Sequence, residues 1–179
     1  MVPKHLDGIL NTTESAETCM SGKIVCECGC ETFGIKYFGE VYKPGCISIN
    51  EYGGKYALIV KAVCRGCGRE HLLFDFAKHG YDGFINEDGI SVSDEELIDA
   101  AAGDERDFTV NMSVEFDDEE QFDEELINNP PEGMSFTPED RVNIWSWVVI
   151  DLKCAESGKE FKDFVNCELA GGEENADRL

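Results

Sequence analysis

Cys64-Arg65-Gly66-Cys67-Gly68 decides how this chain is read. Two cysteines two residues apart, closed by a glycine that tolerates positive φ, form a tight turn that aims both sulfurs at one point. Apolar runs flank it. Lys55 to Val63 (KYALIVKAV) comes before and Glu70 to Phe76 (EHLLFDF) after, and each reads as a strand. The unit is a hairpin with a metal-binding knuckle at its tip. Its partner is Cys26-Glu27-Cys28-Gly29-Cys30, where three cysteines alternate. Zinc takes four ligands in a tetrahedron and favours thiolate, so two sulfurs from each knuckle complete one structural site. Gly29 follows Cys28 as Gly68 follows Cys67, which favours Cys26, Cys28, Cys64 and Cys67 as ligands. The pairings Cys26/Cys30 and Cys28/Cys30 stay open, with Cys30 as the alternative ligand. The spare thiol is then a bystander or a place where metal exchanges. His71, at the base of the outgoing strand, is of the right type to replace a cysteine. Two competing readings are a set of ordinary reduced thiols and a redox CxxC. A redox motif normally opens a helix in a βαβ setting, whereas strands flank this one.

Composition narrows the setting. Nine cysteines in 179 residues is an odd number, clustered as metal ligands are rather than spaced as a disulfide framework. A reducing, cytoplasmic environment is expected. The first residues carry acids and lack an apolar signal core, so nothing indicates secretion, and no apolar run is long enough to span a bilayer. The net charge is −23, and it is concentrated: Asn86 to Asp140 holds twenty acids and one base, Arg106. Such a field repels phosphate backbones and attracts a basic protein. The plainest reading of the same acids is solvated helix faces. A halophilic origin fits poorly with ten lysines against five arginines and with nine cysteines.

The pattern predicts an α+β fold, mainly antiparallel β, with short acidic helices between two β units. Residues 1–22 read as a polar lead-in, with a short helix starting at Thr13 to Glu17 and with His5 and Cys19 as isolated surface residues. Residues 23–85 form the first β unit: a strand from Thr32 to Phe38, a turn at Lys43-Pro44-Gly45, a strand at Cys46 to Ile49 with Cys46 packed inward, and a turn at Glu51-Tyr52-Gly53-Gly54. The loop Ala77 to Phe84 follows, where His79 and Asp82 are the one pair suggestive of catalysis; an aromatic-anchored turn is the duller reading. Residues 86–106 are an acidic helical connector, its helix capped by Ser93 and ended by Gly103. Residues 107–170 make a second β unit, opening on Phe108 to Phe116, which alternates strictly. An acidic helix from Asp117 to Asn128 follows, anchored by Phe122, Leu126 and Ile127 and stopped by Pro130-Pro131. Thr137 and Pro138 start a short helical segment. Asn143 to Lys153 and Glu160 to Glu168 read as paired strands, with Trp145, Trp147 and Val149 on one face. Residues 171–179 are a polar tail.

The second unit echoes the first. Cys64 to Glu70 (CRGCGRE) matches Cys154 to Glu160 (CAESGKE) at an offset of ninety, and the strands before them match as well. Thr32-Phe33-Gly34-Ile35 resembles Asp107-Phe108-Thr109-Val110. Ser157 stands where Cys67 would, and no cysteines precede Phe108 as a first knuckle. The reading is a duplicated unit whose second copy has lost its metal and relies on Trp145, Trp147, Phe161 and Phe164 instead. Two unrelated hairpins with similar turns are the alternative. Cys154 and Cys167 are expected to face each other on paired strands, where they could pair or jointly hold a metal; in a reducing cell two free thiols are expected.

The knuckles and their hairpins, Cys26 to Phe76, resemble the zinc-ribbon class, with the run LLFDFAKHGYDGF giving the look of uncharacterised bacterial zinc-ribbon proteins. The CxCxC half departs from the usual CxxC. Ribbons serve in transcription, translation, enzymes and adaptors, so the resemblance does not fix a function. The expectation is a non-catalytic zinc-binding protein that binds a basic protein partner, an immunity or inhibitor protein being one concrete form. The alternatives are a nucleic-acid-associated ribbon and, behind it, an enzyme using the His79 loop. No phosphate loop, nucleophile elbow or HExxH motif occurs.

Overall fold

The computed structural model describes residues 2–101 and 105–170. Thirteen strands are formed among them: β1 (Leu10–Ser15), β2 (Cys19–Ile24), β3 (Phe33–Phe38), β4 (Glu40–Lys43), β5 (Cys46–Ser48), β6 (Asn50–Tyr52), β7 (Lys55–Ala57), β8 (Ile59–Cys64), β9 (Glu70–Asp75), β10 (Ile98–Asp99), β11 (Phe108–Glu115), β12 (Trp147–Cys154) and β13 (Glu160–Glu168). Helices are short: α1 (Phe76–His79), α2 (Tyr81–Phe84) and α3 (Glu119–Phe122), the last continuing as a π-helix at Asp123–Ile127, with a 3-10 segment at Pro138–Asn143. The architecture is therefore a mostly antiparallel β fold with a few short helices.

One sheet runs β4-β5-β13-β12-β11-β3-β8-β9, with β2 and β3 sharing the free edge of β11 and β1 pairing outward from β2. Among the strands of the described residues, only β13 and β5 pair in parallel, at Val165 and Ile47. β11 is the spine. Its alternation is realised, with Phe108, Val110, Met112 and Val114 buried. The sheet curls on itself, because one residue, Gly39, separates β3 from β4 although four strands lie between them in the sheet. The Tyr37 ring of β3 meets Phe164 of β13 edge-on at 5.5 Å across that curl. A Cβ on Gly39 would stand 2.8 Å from the Ser48 carbonyl oxygen and 2.7 Å from a Leu58 methyl, so the crossing needs glycine.

Four expectations from the sequence are corrected. Residues 2–22 are no lead-in: β1 and β2 form a hairpin, β2 pairs with β11, and Leu6, Ile9 and Met20 are buried. The stretch from Ser93 is not a helix. One 3-10 turn at Asp94–Glu96, closed by a capping box with Ser93, gives way to β10 on the edge of β3. Gly103, the expected helix end, lies outside the described residues, as does the 171–179 tail. The core face of β12 is Val148, Ile150, Leu152 and Cys154, not the Trp147 and Val149 face, and Trp147 Nε1 donates to Asn166 Oδ1 at 2.8 Å instead. Cys154 and Cys167 do not face each other: Cys154 pairs with Phe108 and Cys167 with Val148.

The two expected β units share one core, in which Phe33, Val60 and Phe74 join Phe108, Ile150, Phe164 and Val165. A satellite cluster of Ile85, Phe122, Leu126 and Ile144, flanked by Ile127, ties down the acidic segment. The offset of ninety is visible in the backbone. Cys64 N–H donates to Arg69 O and Gly68 N–H to Cys64 O; Cys154 N–H donates to Lys159 O and Gly158 N–H to Cys154 O. Gly68 and Gly158 both have positive φ, 76° and 72°. Phe33 pairs with Cys64 as Phe108 pairs with Cys154, and each hairpin carries a bulge four residues before its knuckle cysteine, at Val60/Lys61 and from Ile150.

Candidate metal centre

The first knuckle links β2 to β3 and the second links β8 to β9, which puts both at one end of the sheet. In the first, Gly29 at φ +83° lets its N–H reach the Cys26 carbonyl, while Cys26 N–H donates to Cys30 O. That closed turn directs Cys26 and Cys28 toward Cys64 and Cys67. The four sulfurs lie within 4.8 Å of one another, with Cys26–Cys67 and Cys28–Cys64 each at 3.6 Å. A zinc tetrahedron with Zn–S bonds of ~2.3 Å has S–S edges of ~3.8 Å, so the donor set fits a four-coordinate thiolate-loving ion. These four residues can hold a metal ion. Cys26 and Cys64 are buried, and Cys28 and Cys67 are exposed, so the cluster opens to solvent on one side.

Cys30 stands apart from the four, its thiol donating to the Thr32 carbonyl at 3.4 Å. The cluster is thus the Cys26, Cys28, Cys64, Cys67 combination expected first, with Cys30 beside it. Gly66 is needed here: a Cβ would come within 3.0 Å of Cys30 Cβ and 3.4 Å of Cys28 Sγ. His71 does not displace a cysteine. It is buried, with Nε2 3.3 Å from Cys26 Sγ, where an imidazole N–H supports a thiolate from outside the tetrahedron. Burial, and then the charge of Arg69, lower its pKa and favour the neutral ring.

The thiols are electrostatically unequal. Burial opposes ionisation of Cys64, but the amides of Cys67 and Gly66 and the thiols of Cys28 and Cys26 outweigh it and hold its pKa down to about 6. At Cys26 the Cys28 amide favours the thiolate, yet burial and the contact with Cys64 prevail and the pKa is raised. One thiolate among packed thiols is a donor set from which a cation could displace the remaining protons.

The His79 and Asp82 pair does not form. His79 is buried against Trp145 and Phe74 and stacks on His5, ring centroids 3.8 Å apart and planes 5° apart. Asp82 accepts from Asn86 Nδ2 at 2.8 Å. His5, expected at the surface, instead has Nε2 3.2 Å from the Leu73 carbonyl. Sequence reasoning missed this stacking because the two rings come from segments seventy-four positions apart in the chain. Compared with protein-family models, curated proteins and solved structures, the chain gives no significant match.

Proposed function

We propose that the chain is a duplicated zinc ribbon holding one structural zinc at Cys26, Cys28, Cys64 and Cys67, and that it acts without catalysis by binding a basic protein partner in the cytoplasm. The observation that carries the metal reading is the four-sulfur cluster itself. The hydrogen bonds and φ angles repeated at an offset of ninety support the duplication.

Support for the partner reading comes from charge that is exposed and anchored. Glu119, Glu120, Glu124 and Glu125 are exposed on the segment that Phe122 and Leu126 fix to the body. A fixed acidic surface steers a basic partner and contributes ionic contacts. An immunity or inhibitor protein against a basic toxin or nuclease is a concrete form. The nucleic-acid reading loses ground because the bases of the first half that it would use are already engaged: Lys55 with Asp88, Lys61 with Asp94, Arg65 with Asp107 and Arg69 with Glu27. No helix among the described residues is long and apolar enough to cross a membrane.

A native mass spectrum of protein gently purified from its own cells tests both halves of the proposal. One zinc per chain is expected, together with a retained basic protein that dissociates as salt is raised. A metal-free chain overturns the ribbon. A partner held equally well at high salt overturns the acidic-surface reading, and retardation of nucleic acid in a low-salt gel shift favours the alternative.

A further inference from the structure

We propose that in the second half the Glu105 carboxylate takes the place that a metal ion takes in the first, closing the Cys154 to Gly158 turn by hydrogen bonds instead of coordination. The inference rests on reading the two halves as equivalent. Cys154 and Ser157 occupy the positions of Cys64 and Cys67 at the offset of ninety. A single carboxylate oxygen, Glu105 Oε2, accepts from Cys154 Sγ at 2.8 Å and from Ser157 Oγ at 2.8 Å. The two side chains that a metal would have joined are therefore joined by one anionic atom.

The carboxylate also comes from the right segment. Thr32 accepts the Arg65 N–H just as Asp107 accepts the Ala155 N–H. Glu105 lies two residues before Asp107, as Cys30 lies two before Thr32. The chain that delivers Glu105 thus corresponds to the end of the first knuckle.

The charge logic is inverted between the two. In the first half, thiolates surround a cation. In the second, an anion sits between two neutral donors, a thiol and a hydroxyl, which are charge-assisted hydrogen bonds and the stronger kind. The hydrogen bonds from Cys154 and then Ser157 hold the Glu105 carboxyl below its usual range against burial. Replacing Cys67's counterpart by serine removes the second thiolate that a soft metal needs and supplies the second donor that a carboxylate needs.

The two turns are also linked. Arg65, inside the second metal knuckle, donates from Nε to Asp107 Oδ1 at 2.6 Å and from a terminal nitrogen to the Arg106 carbonyl at 3.1 Å. The segment that carries Glu105 is therefore held from the metal side as well. An open cleft of about 450 Å³ lined by Glu105, Asp107, Cys154 and Glu156 gives solvent a way in.

Cobalt(II) titration of the full chain tests the proposal, because thiolate–cobalt charge transfer reports each site. Wild type is expected to take one equivalent. Ser157→Cys should still take only one, because the carboxylate already fills the place of a second ion. A second equivalent in Ser157→Cys with Glu105 intact overturns the proposal. Alkylation of Cys154, read by peptide mass, is a second measure that needs no metal. Glu105→Ala should speed it about tenfold or more, the size expected when a charge-assisted hydrogen bond is lost. An unchanged rate overturns the proposal independently. If wild type takes no cobalt while Glu105→Ala still exposes Cys154, the metal reading falls and the carboxylate closure stands.

Discussion

At the scale of single residues, His79 shows how burial turns chemistry into stability. Its Nδ1 accepts the Asp75 N–H at 3.1 Å, so the neutral ring is built into the turn that starts α1. Burial, then the charges of His5 and Lys78, lowers its pKa to about 2. The unfolded chain binds a proton near pH 6.5 that the folded chain refuses, so stability is fully present above that value and is lost as pH falls toward 2. Between pH 7 and pH 5 this one ring should cost about 2 kcal/mol. Urea melts of wild type and His79→Phe at both pH values check it. The variant is expected to be weaker at pH 7, having orphaned the Asp75 N–H, but to lose about 2 kcal/mol less on acidification. Equal losses in the two proteins would show that His79 is not the group responsible. The site residues were more legible than this one. A CxxCG turn between apolar runs states its chemistry in five consecutive letters, whereas the His5 and His79 stack depends on two distant segments meeting.

At the scale of elements, the strands that alternate were readable and the ones that do not were hidden. β11 alternates buried with less buried residues along its whole length because one face meets the core. β1 is exposed from its second residue onward and carries a bulge between Thr12 and Glu14, so LNTTES has no apolar rhythm to detect. The stretch after Ser93 carries a genuine capping signal, and the capping box forms. The helix ends after one turn because Ile98 and Asp99 find partners in Tyr37 and Lys36 on the open edge of β3, and tertiary pairing overrides local propensity. The acidic segment is the opposite case, with Phe122 and Leu126 buried as their spacing suggested. Its exposed acids should therefore be separable from its fold. Changing Glu119, Glu120, Glu124 and Glu125 together to Gln is expected to leave the melting temperature within a few degrees, since surface changes usually stay within ~0.5 kcal/mol each. On the proposed function, the same variant should bind a basic partner more slowly and with a shallower dependence on salt. A collapse in melting temperature would mean that the charges hold the segment; unchanged binding would place the partner on another surface.

At the scale of the whole molecule, the sequence suggested a metal-bound unit and a second unit that has lost its metal, and the shared core argues against their failing separately. Trp145 belongs to the second half by sequence, yet its ring stacks on Phe74 of β9 at a centroid distance of 5.7 Å, and β9 leads directly from the second knuckle. β3, which follows the first knuckle, pairs with β11 at Phe33 and Phe108. Loss of the proposed ion would release four sulfurs at the ends of four strands, β2, β3, β8 and β9, that the other half uses as its wall. Structural zinc contributes about 10–16 kcal/mol in small metal-folded units, as much as the whole stability of an ordinary domain, so removal should not stay local. Chelation, or Cys64→Ser, is therefore expected to shift tryptophan emission to the red with the same midpoint as the loss of β-sheet circular dichroism. The second turn, with its Glu105 hydrogen bonds, should not rescue the rest, because β11 and β12 would lose the core they share with β8 and β9. Native-like tryptophan emission alongside a disordered knuckle would restore the two-part picture and make the shared core a contact between independent units.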